Sequence, residues 1–354
     1  MLSSITEKRD LWSYLKPAGK PVVMYGMGNG ADKIIAVLDR YGVNISDFFA
    51  SDGFVRGHSF HSKKVLSFSE IKEKYGDFII LLSFGTSRRE VLDLIYSIDE
   101  EYEMYAPDVP VAGGDIFDIA FYNRHTAELE RTRELLCDER SKELFDSIIN
   151  YKLSGEIKYL RENVSDRSEI YNRILKVAKY KSYLDLGAYT GDTVREIYEF
   201  GGRPEMVTAL EPDPRNFRKL SQYASENPAV NAINAGAWSR DTVMIFNTEG
   251  NRNSGVSDKG GLVQMLAPDG IESAQDADLI KLDVEGSERE ALLGCRGIIE
   301  RSSPDLLVSV YHRSEDLYDL PLLVHELAPG HKLYLRRLES LPAWDLYLIA
   351  VNEK

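Results

Sequence analysis

The chain has 354 residues, 43% of them hydrophobic, and a formal net charge of −14. That length exceeds one typical domain and favours two, while the acidic balance argues against nucleic acid or an anionic membrane as partner, because scattered Lys and Arg make no basic patch to overcome repulsion by phosphates. No apolar run approaches the ~18 residues of a membrane span, residues 1–12 lack a signal-peptide core, and the distant Cys137 and Cys295 read as buried thiols of a reducing, cytoplasmic compartment.

Taken in order, residues 5–16 predict a short amphipathic helix with Leu11, Trp12 and Leu15 on one side. A strand over 21–25 then enters Gly26-Met27-Gly28-Asn29-Gly30, followed by a helix over 31–41, a strand over 44–50, a helix over 67–75 and an apolar strand over 78–83. Ser87 and Glu90 have the spacing of a capping box that opens another helix. Strand–helix alternation of this kind predicts a small parallel sheet, so residues 1–112 are expected to form a Rossmann-like domain. Gly26, Gly28 and Gly30 match a dinucleotide turn in part, and Asp52 falls roughly where a ribose acid belongs, but Lys33 stands where the last glycine would be. A nucleotide or nucleotide-linked sugar is one reading of this turn. Packing or dimerisation, which leaves room for a homo-oligomer, is the other.

Residues 113–180 turn helical and charged, with Leu129, Leu135, Leu136, Leu144, Phe145, Ile148 and Ile149 on helical faces; they predict a helical bridge and part of a substrate wall. The third unit, 181–354, opens on Tyr183-Leu184-Asp185-Leu186-Gly187-Ala188-Tyr189-Thr190-Gly191-Asp192-Thr193, a buried strand, a glycine-rich turn and a helix start. The next strand ends in Glu211-Pro212-Asp213-Pro214, placing an acid where a Rossmann-type site holds ribose hydroxyls; Asp213 and Pro214 supply an N-cap and a first-turn proline. Residues 232–238 and 243–247 follow as strands, and 251–261 as a glycine- and serine-rich stretch, either a mobile loop near the site or an ordinary surface excursion. An apolar strand then ends in Asp283 and Glu285, where Ser287 and Glu290 have capping-box spacing. The strand over 306–311 ends at His312, and two more cover 332–336 and 346–351.

The motifs DLGAYTGDT, LEPDP and IKLDVEGSE, followed by SVYHRSEDLYDLPLLVHEL and HKLYLR, resemble the FkbM family of S-adenosylmethionine-dependent methyltransferases, from about Leu136 to the C-terminus. IKLDVEG is the most family-specific of them. The resemblance implies an α/β class I methyltransferase fold, a seven-stranded sheet with helices on both faces and the last strand antiparallel, beside the smaller N-terminal Rossmann-like domain. It implies S-adenosylmethionine as cofactor and a small-molecule hydroxyl acceptor, on a sugar, a nucleotide-linked sugar or a polyketide-like compound.

For the cofactor, the resemblance and the loop chemistry point to Asp185, Gly187, Ala188, Gly191, Asp192, Thr193, Glu211 and Pro212, with Ala237 and Trp238 walling the adenine; for Trp238, core packing competes with stacking. Acids in the first loop suit a cationic amino-acid end and a sulfonium rather than a diphosphate. Asp283, Glu285 and His312 are the catalytic candidates, each a potential base for the acceptor proton, with a structural histidine as the plain alternative for His312. No metal is expected, since no His/Asp cluster in the sequence demands one on Asp283 and Glu285. Two other functions compete: an NAD(P)-dependent oxidoreductase centred on the N-terminal turn, whose fingerprint is incomplete, and a non-catalytic nucleotide- or S-adenosylmethionine-binding protein.

Overall fold

The structure, a computed structural model, describes residues 4–55, 57–247, 255–256 and 260–353. The N-terminal sheet is built from β1 (Val22–Tyr25), β2 (Ile45–Ala50), β3 (Leu66–Ser67), β4 (Ile79–Leu82) and β5 (Met104–Tyr105), in the order β3-β2-β1-β4-β5. All of its pairings are parallel, as strand–helix alternation requires. The helix Asn29–Tyr41 starts directly after Gly28, whose φ of 89° a side chain would oppose.

Local chemistry shortened or moved several predicted elements. The helix expected over 5–16 covers only Leu11–Leu15, because the Asp10 carboxylate caps it by accepting from the Ser13 amide at 2.7 Å and Lys16 precedes a proline. Ser87 and Glu90 make no capping box: the helix Arg89–Glu101 has Arg88 at its N-cap without a side-chain cap, and Glu90 takes the Arg88 guanidinium. Ser67 and Glu70 make one instead, at the helix Phe68–Lys74.

The second sheet holds β6 (Ser182–Leu186), β7 (Met206–Leu210), β8 (Val230–Ile233), β9 (Leu279–Leu282), β10 (Asp305–Ser309), β11 (Lys332–Arg337) and β12 (Leu346–Val351). Their order is β8-β7-β6-β9-β10-β12-β11, and β12 runs antiparallel to both neighbours. Alternate residues of each strand feed two cores. Leu184, Leu186, Ile280 and Leu282 pack with Ala291, Leu292 and Leu320 from helices of one face. Tyr183, Val207 and Leu279 pack with Val194, Ile197 and Leu220 from the other. After β8 the chain crosses back to β9, so the switch point lies between β6 and β9, where open sheets of this kind bind ligands. A smaller sheet of Gly236–Ala237, Thr242–Asn247, Gly255–Val256 and Gly261–Leu266 flanks it. The loop expected over 251–261 falls mostly outside the described residues.

The helix Glu139–Ser154 joins the two sheets. Asp138 caps it and Gly155, at φ 69°, ends it. Its Ser141 hydroxyl accepts from the Leu335 amide of β11 at 2.9 Å, and its Lys152 pairs with Asp108, just past β5, at 2.8 Å. Leu144, Phe145, Ile148 and Ile149 sit in one core with residues of both sheets. Among the described residues no helix is long and apolar enough to cross a membrane.

The segments past β4 and before β12 also meet: a Cβ on Gly85 would lie 1.9 Å from the Trp344 ring. Gly85→Ala is expected to destabilise the chain by about 1–3 kcal/mol, the usual cost of overpacking, read as a lower urea midpoint. Trp344→Leu in the same background should recover part of that loss.

Candidate functional site

Register aligns the carboxyl ends of three strands, pairing Leu186 with both Leu210 and Leu282. Gly187, Glu211 and Asp283 are therefore the first residues past β6, β7 and β9. Gly187 is required by contact as well as torsion: at φ 79°, a Cβ there would lie 1.9 Å from the Asp283 carbonyl oxygen. The Gly187 and Ala188 amides both donate to the Leu210 carbonyl, at 3.1 and 2.9 Å. The glycine turn is thus clamped to β7, and these two amides are not left for a ligand.

Glu211 is buried at the centre of this clamp. One carboxylate oxygen accepts from the Tyr189 amide and the other from the Asp213 amide, each at 2.9 Å. Burial pushes its pKa up to about 7, against the pull of those two amides. Asp213 accepts from the Arg215 amide at 2.8 Å, and with Pro214 opens the helix Pro214–Glu226.

A cavity lies over these strand ends, lined by Gly187, Asp192, Thr193, Glu211, Pro212 and Ala237, and by Asp283 and Glu285. Four of the residues named from sequence for the cofactor do not line it. Ala188 is fully buried beneath the turn. Gly191 at φ 84° packs toward Tyr223. Trp238 packs with Val263 and Met265, so its core reading describes the structure and stacking does not. Asp185 also turns away: it has no exposed surface and pairs with Lys281 at 3.2 Å, while the Lys281 ammonium donates to the Gly187 carbonyl at 2.7 Å. Burial raises the Asp185 pKa and Lys281 opposes that rise. Asp185 therefore fixes the floor of the site.

Sequence reasoning missed several lining residues: Lys281, Asn216, Met265, Arg167, Tyr171 and Tyr311. Lys281 had a visible signal, a lone cation inside the apolar run Leu279-Ile280-Lys281-Leu282. Asn216 carries a buried side-chain oxygen with no hydrogen-bond partner, beside Glu211 and Pro212 in the lining.

Past β9 and β10, Asp283, Glu285 and His312 come together. His312 Nε2 lies 3.5 Å from an oxygen of each acid, and Nδ1 lies 2.9 Å from Glu288 Oε1. Glu285 holds φ 54°, uncommon for a residue with a side chain, and Gly286 beside it is pressed so closely that a Cβ would lie 2.2 Å from that of Ala112. The expected Ser287/Glu290 capping box is absent. Glu288 instead accepts from the Val284 amide at 2.9 Å, and Glu290 takes the Ser239 hydroxyl. Burial alone would lower the His312 pKa, but Glu288, Glu285 and Asp283 outweigh it and push it up to about 10. His312 is only 1% exposed and does not line the cavity. The imidazole is thus withdrawn behind the two acids, and the three carboxylates around it favour its protonated form. Burial opposes ionisation of Asp283, yet Lys281 and His312 hold it below the usual carboxylate range. Among the catalytic candidates, Asp283 and Glu285 face the cavity.

At the N-terminal turn, Gly26 and Asp52 are both engaged by their neighbours. A Cβ on Gly26 would lie 2.7 Å from both the Phe84 ring and the Ser83 hydroxyl. Asp52 is engaged with Ser69, through its amide at 3.1 Å and its hydroxyl at 2.7 Å. A small cavity does touch Gly30, Lys33 and Trp344, but neither Gly26, Gly28 nor Asp52 lines it.

Comparison with known proteins agrees with this geometry. Residues 185–337 match the methyltransferase FkbM domain. A methyltransferase FkbM from Methylobacillus flagellatus KT has a similar fold over nearly the whole chain, with 21% identity, a TM-score of 0.71, and coverage of 98% of this chain and 92% of that one. That span includes the N-terminal sheet. Weaker similarity extends to precorrin-6y C5,15-methyltransferase from Geobacter metallireducens GS-15 (14% identity, TM-score 0.35, 53% of this chain and 87% of that one). It extends also to Aeropyrum pernix fibrillarin solved with S-adenosyl-L-methionine (15%, 0.34, 52% and 73%). No curated protein matches the sequence.

Lys281→Met leaves Asp185 buried without its cation, and is expected to cost about 3–5 kcal/mol in chemical denaturation. Adding Asp185→Leu removes the stranded charge and should restore most of that loss. Equal destabilisation in the single and double variants would contradict the pairing.

Proposed function

We propose that the protein is an S-adenosylmethionine-dependent O-methyltransferase acting on a hydroxyl of a sugar or similar small molecule. The observation that carries this reading is Glu211, a carboxylate buried at the end of the second strand, pinned by two amides and still lining the cavity. A pair of ribose hydroxyls suits it, because hydroxyl donors replace the water that burial removed. The unpartnered Asn216 oxygen suits an adenine amino group, and ionised Asp283 suits a positively charged neighbour.

Bound there, S-adenosylmethionine supplies a methyl group activated by a sulfonium. The residues of this chain then align and deprotonate. Asp283 and Glu285 line the cavity, where a hydroxyl proton can pass to a carboxylate as the oxygen attacks the methyl carbon and the carbon–sulfur bond breaks. Alignment supplies roughly 7–11 kcal/mol, against about 10²–10⁴-fold in rate for a positioned base. A weak carboxylate base therefore suffices. Braced by His312, the two acids keep their position without taking a proton from it. A sugar or nucleotide-linked acceptor fits the polar wall, and Tyr311, whose hydroxyl donates to Asp283 at 3.3 Å, adds an aromatic face to it.

Two expectations follow. Glu211→Ala should lose roughly 1.5–3 kcal/mol for each charge-assisted bond, so affinity for S-adenosylmethionine falls at least about tenfold by calorimetry; an unchanged dissociation constant would remove the ribose assignment. The second is a pH dependence. With a pKa of about 7 in the ligand-free protein, Glu211 is largely protonated at pH 6 and ionised at pH 8. Hydroxyl donors favour the ionised form, so affinity should drop about tenfold from pH 8 to pH 6. Glu211→Gln should bind more weakly and lose the part of the pH dependence that Glu211 contributes.

A further inference from the structure

Acids dominate the charged lining of the cavity over the strand ends. Asp192, Glu196, Glu211, Asp283, Glu285 and Asp345 all line it, and the lining cations are Arg167 and Lys281. Lys281 is buried and already committed, to Asp185 at 3.2 Å and to the Gly187 carbonyl at 2.7 Å. Arg167 is half-exposed and stands just ahead of the helical turn Glu169–Ile174, outside the stretch that matches the FkbM domain. Its Nε donates to Glu196 Oε1 at 3.0 Å. The other Glu196 oxygen accepts from the Tyr171 hydroxyl at 2.6 Å, so the carboxylate that holds the guanidinium is itself held. Neither terminal nitrogen of Arg167 makes a hydrogen bond to a described residue.

A guanidinium fixed at its root and open at its tip matches an oxyanion that accepts two parallel N–H bonds, a carboxylate or a phosphate. The surroundings decide between them. Repulsion by the neighbouring acids disfavours a doubly charged phosphate and favours a single carboxylate that carries its own cation close by. An α-amino acid end is of that kind. Position along the sheet agrees. Asn216, Gly236 and Ala237 line the cavity past β7 and β8, to one side of Glu211, while Tyr311 past β10 and Tyr347 of β12 line it to the other. Arg167 belongs with the second group: its partner Glu196 stands on the helix after β6, and Tyr347 is close enough to act on its charge. With ribose on Glu211 and adenine at Asn216, the remaining arm of the ligand runs toward Arg167.

We propose that Arg167, held by Glu196, binds the α-carboxylate of the methyl donor's amino-acid end, so that the cavity selects nucleosides that carry one. This rests on the proposed function, which seats S-adenosylmethionine by its ribose on Glu211. The surrounding acids suit the ligand's ammonium and sulfonium, and Arg167 supplies the opposite charge that its carboxylate needs. Arg167 is a binding residue and takes no part in the transfer of the methyl group.

The test is calorimetry on the full chain with S-adenosylmethionine and with its decarboxylated form, which differs only in lacking the carboxylate. Wild type is expected to favour S-adenosylmethionine by at least about tenfold, the scale of a charge-assisted hydrogen bond. In Arg167→Met that preference collapses. S-adenosylmethionine then binds at least about tenfold more weakly, while the decarboxylated form binds as before and so reports a folded site. Arg167→Lys keeps the charge without the fork and should retain part of the preference. Arg167→Met combined with Glu196→Gln separates direct from indirect action: recovery of wild-type affinity for S-adenosylmethionine would mean that Arg167 only neutralises Glu196, and would overturn the proposal. Equal weakening of both ligands in Arg167→Met, or no change in either, would also overturn it. Wild type that binds neither ligand removes the proposed function along with this contact; wild type that binds both, at a ratio Arg167→Met leaves intact, removes the contact alone.

Discussion

Lys281 fastens the two strands between which the site opens. Its ammonium reaches from β9 to Asp185 of β6 and to the carbonyl of Gly187, across the switch point of the sheet. Without that cation, Asp185 and Asp283 would place like charges on adjacent strands in a buried setting, where repulsion is poorly screened. With it, Gly187 can sit against the Asp283 carbonyl at a distance no side chain tolerates. The clamp on Glu211 follows, because the same turn presents the Tyr189 amide to it. One ion pair therefore sets the floor of the cavity, whose walls carry Asp192, Glu211, Asp283 and Glu285.

The outer side of the site depends on chain that precedes the methyltransferase domain. The Ala112 amide donates to the His312 carbonyl at 3.0 Å, and Gly286 packs against the Ala112 side chain. Lys33, from the first helix of the N-terminal sheet, is half-buried and donates to the Val111 carbonyl at 2.7 Å. Burial lowers its pKa, and the nearby Glu285 carboxylate counters that shift. The segment leaving the N-terminal sheet thus braces the turn that aims Glu285. A shared core through the helix Glu139–Ser154 keeps that brace in register.

Local features were legible in the sequence, and partnerships were not. The strand, glycine turn and acid of β6 and β7 could be read because their periodicity and torsional demands are local. The same reasoning recovered the parallel N-terminal sheet and the seven-stranded mixed sheet. It could not name the partners of Asp185, Trp238 and Asp52, which spacing does not encode: Lys281 from a neighbouring strand, Val263 and Met265 of the flanking sheet, and Ser69. His312 shows the limit most clearly. Its position after β10 was readable, but its protonation follows from three carboxylates that only the fold brings around it. The capping-box spacing at Ser287 and Glu290 failed for a related reason, since Glu288 had already taken the turn amides.

A crystal structure of the full chain with S-adenosylhomocysteine tests the central assignment most directly. The ribose hydroxyls are predicted on the Glu211 carboxylate, with the adenine toward Asn216 and the sulfur turned toward Asp283. Density for the nucleoside elsewhere, with Glu211 bonded only to the Tyr189 and Asp213 amides, would contradict it.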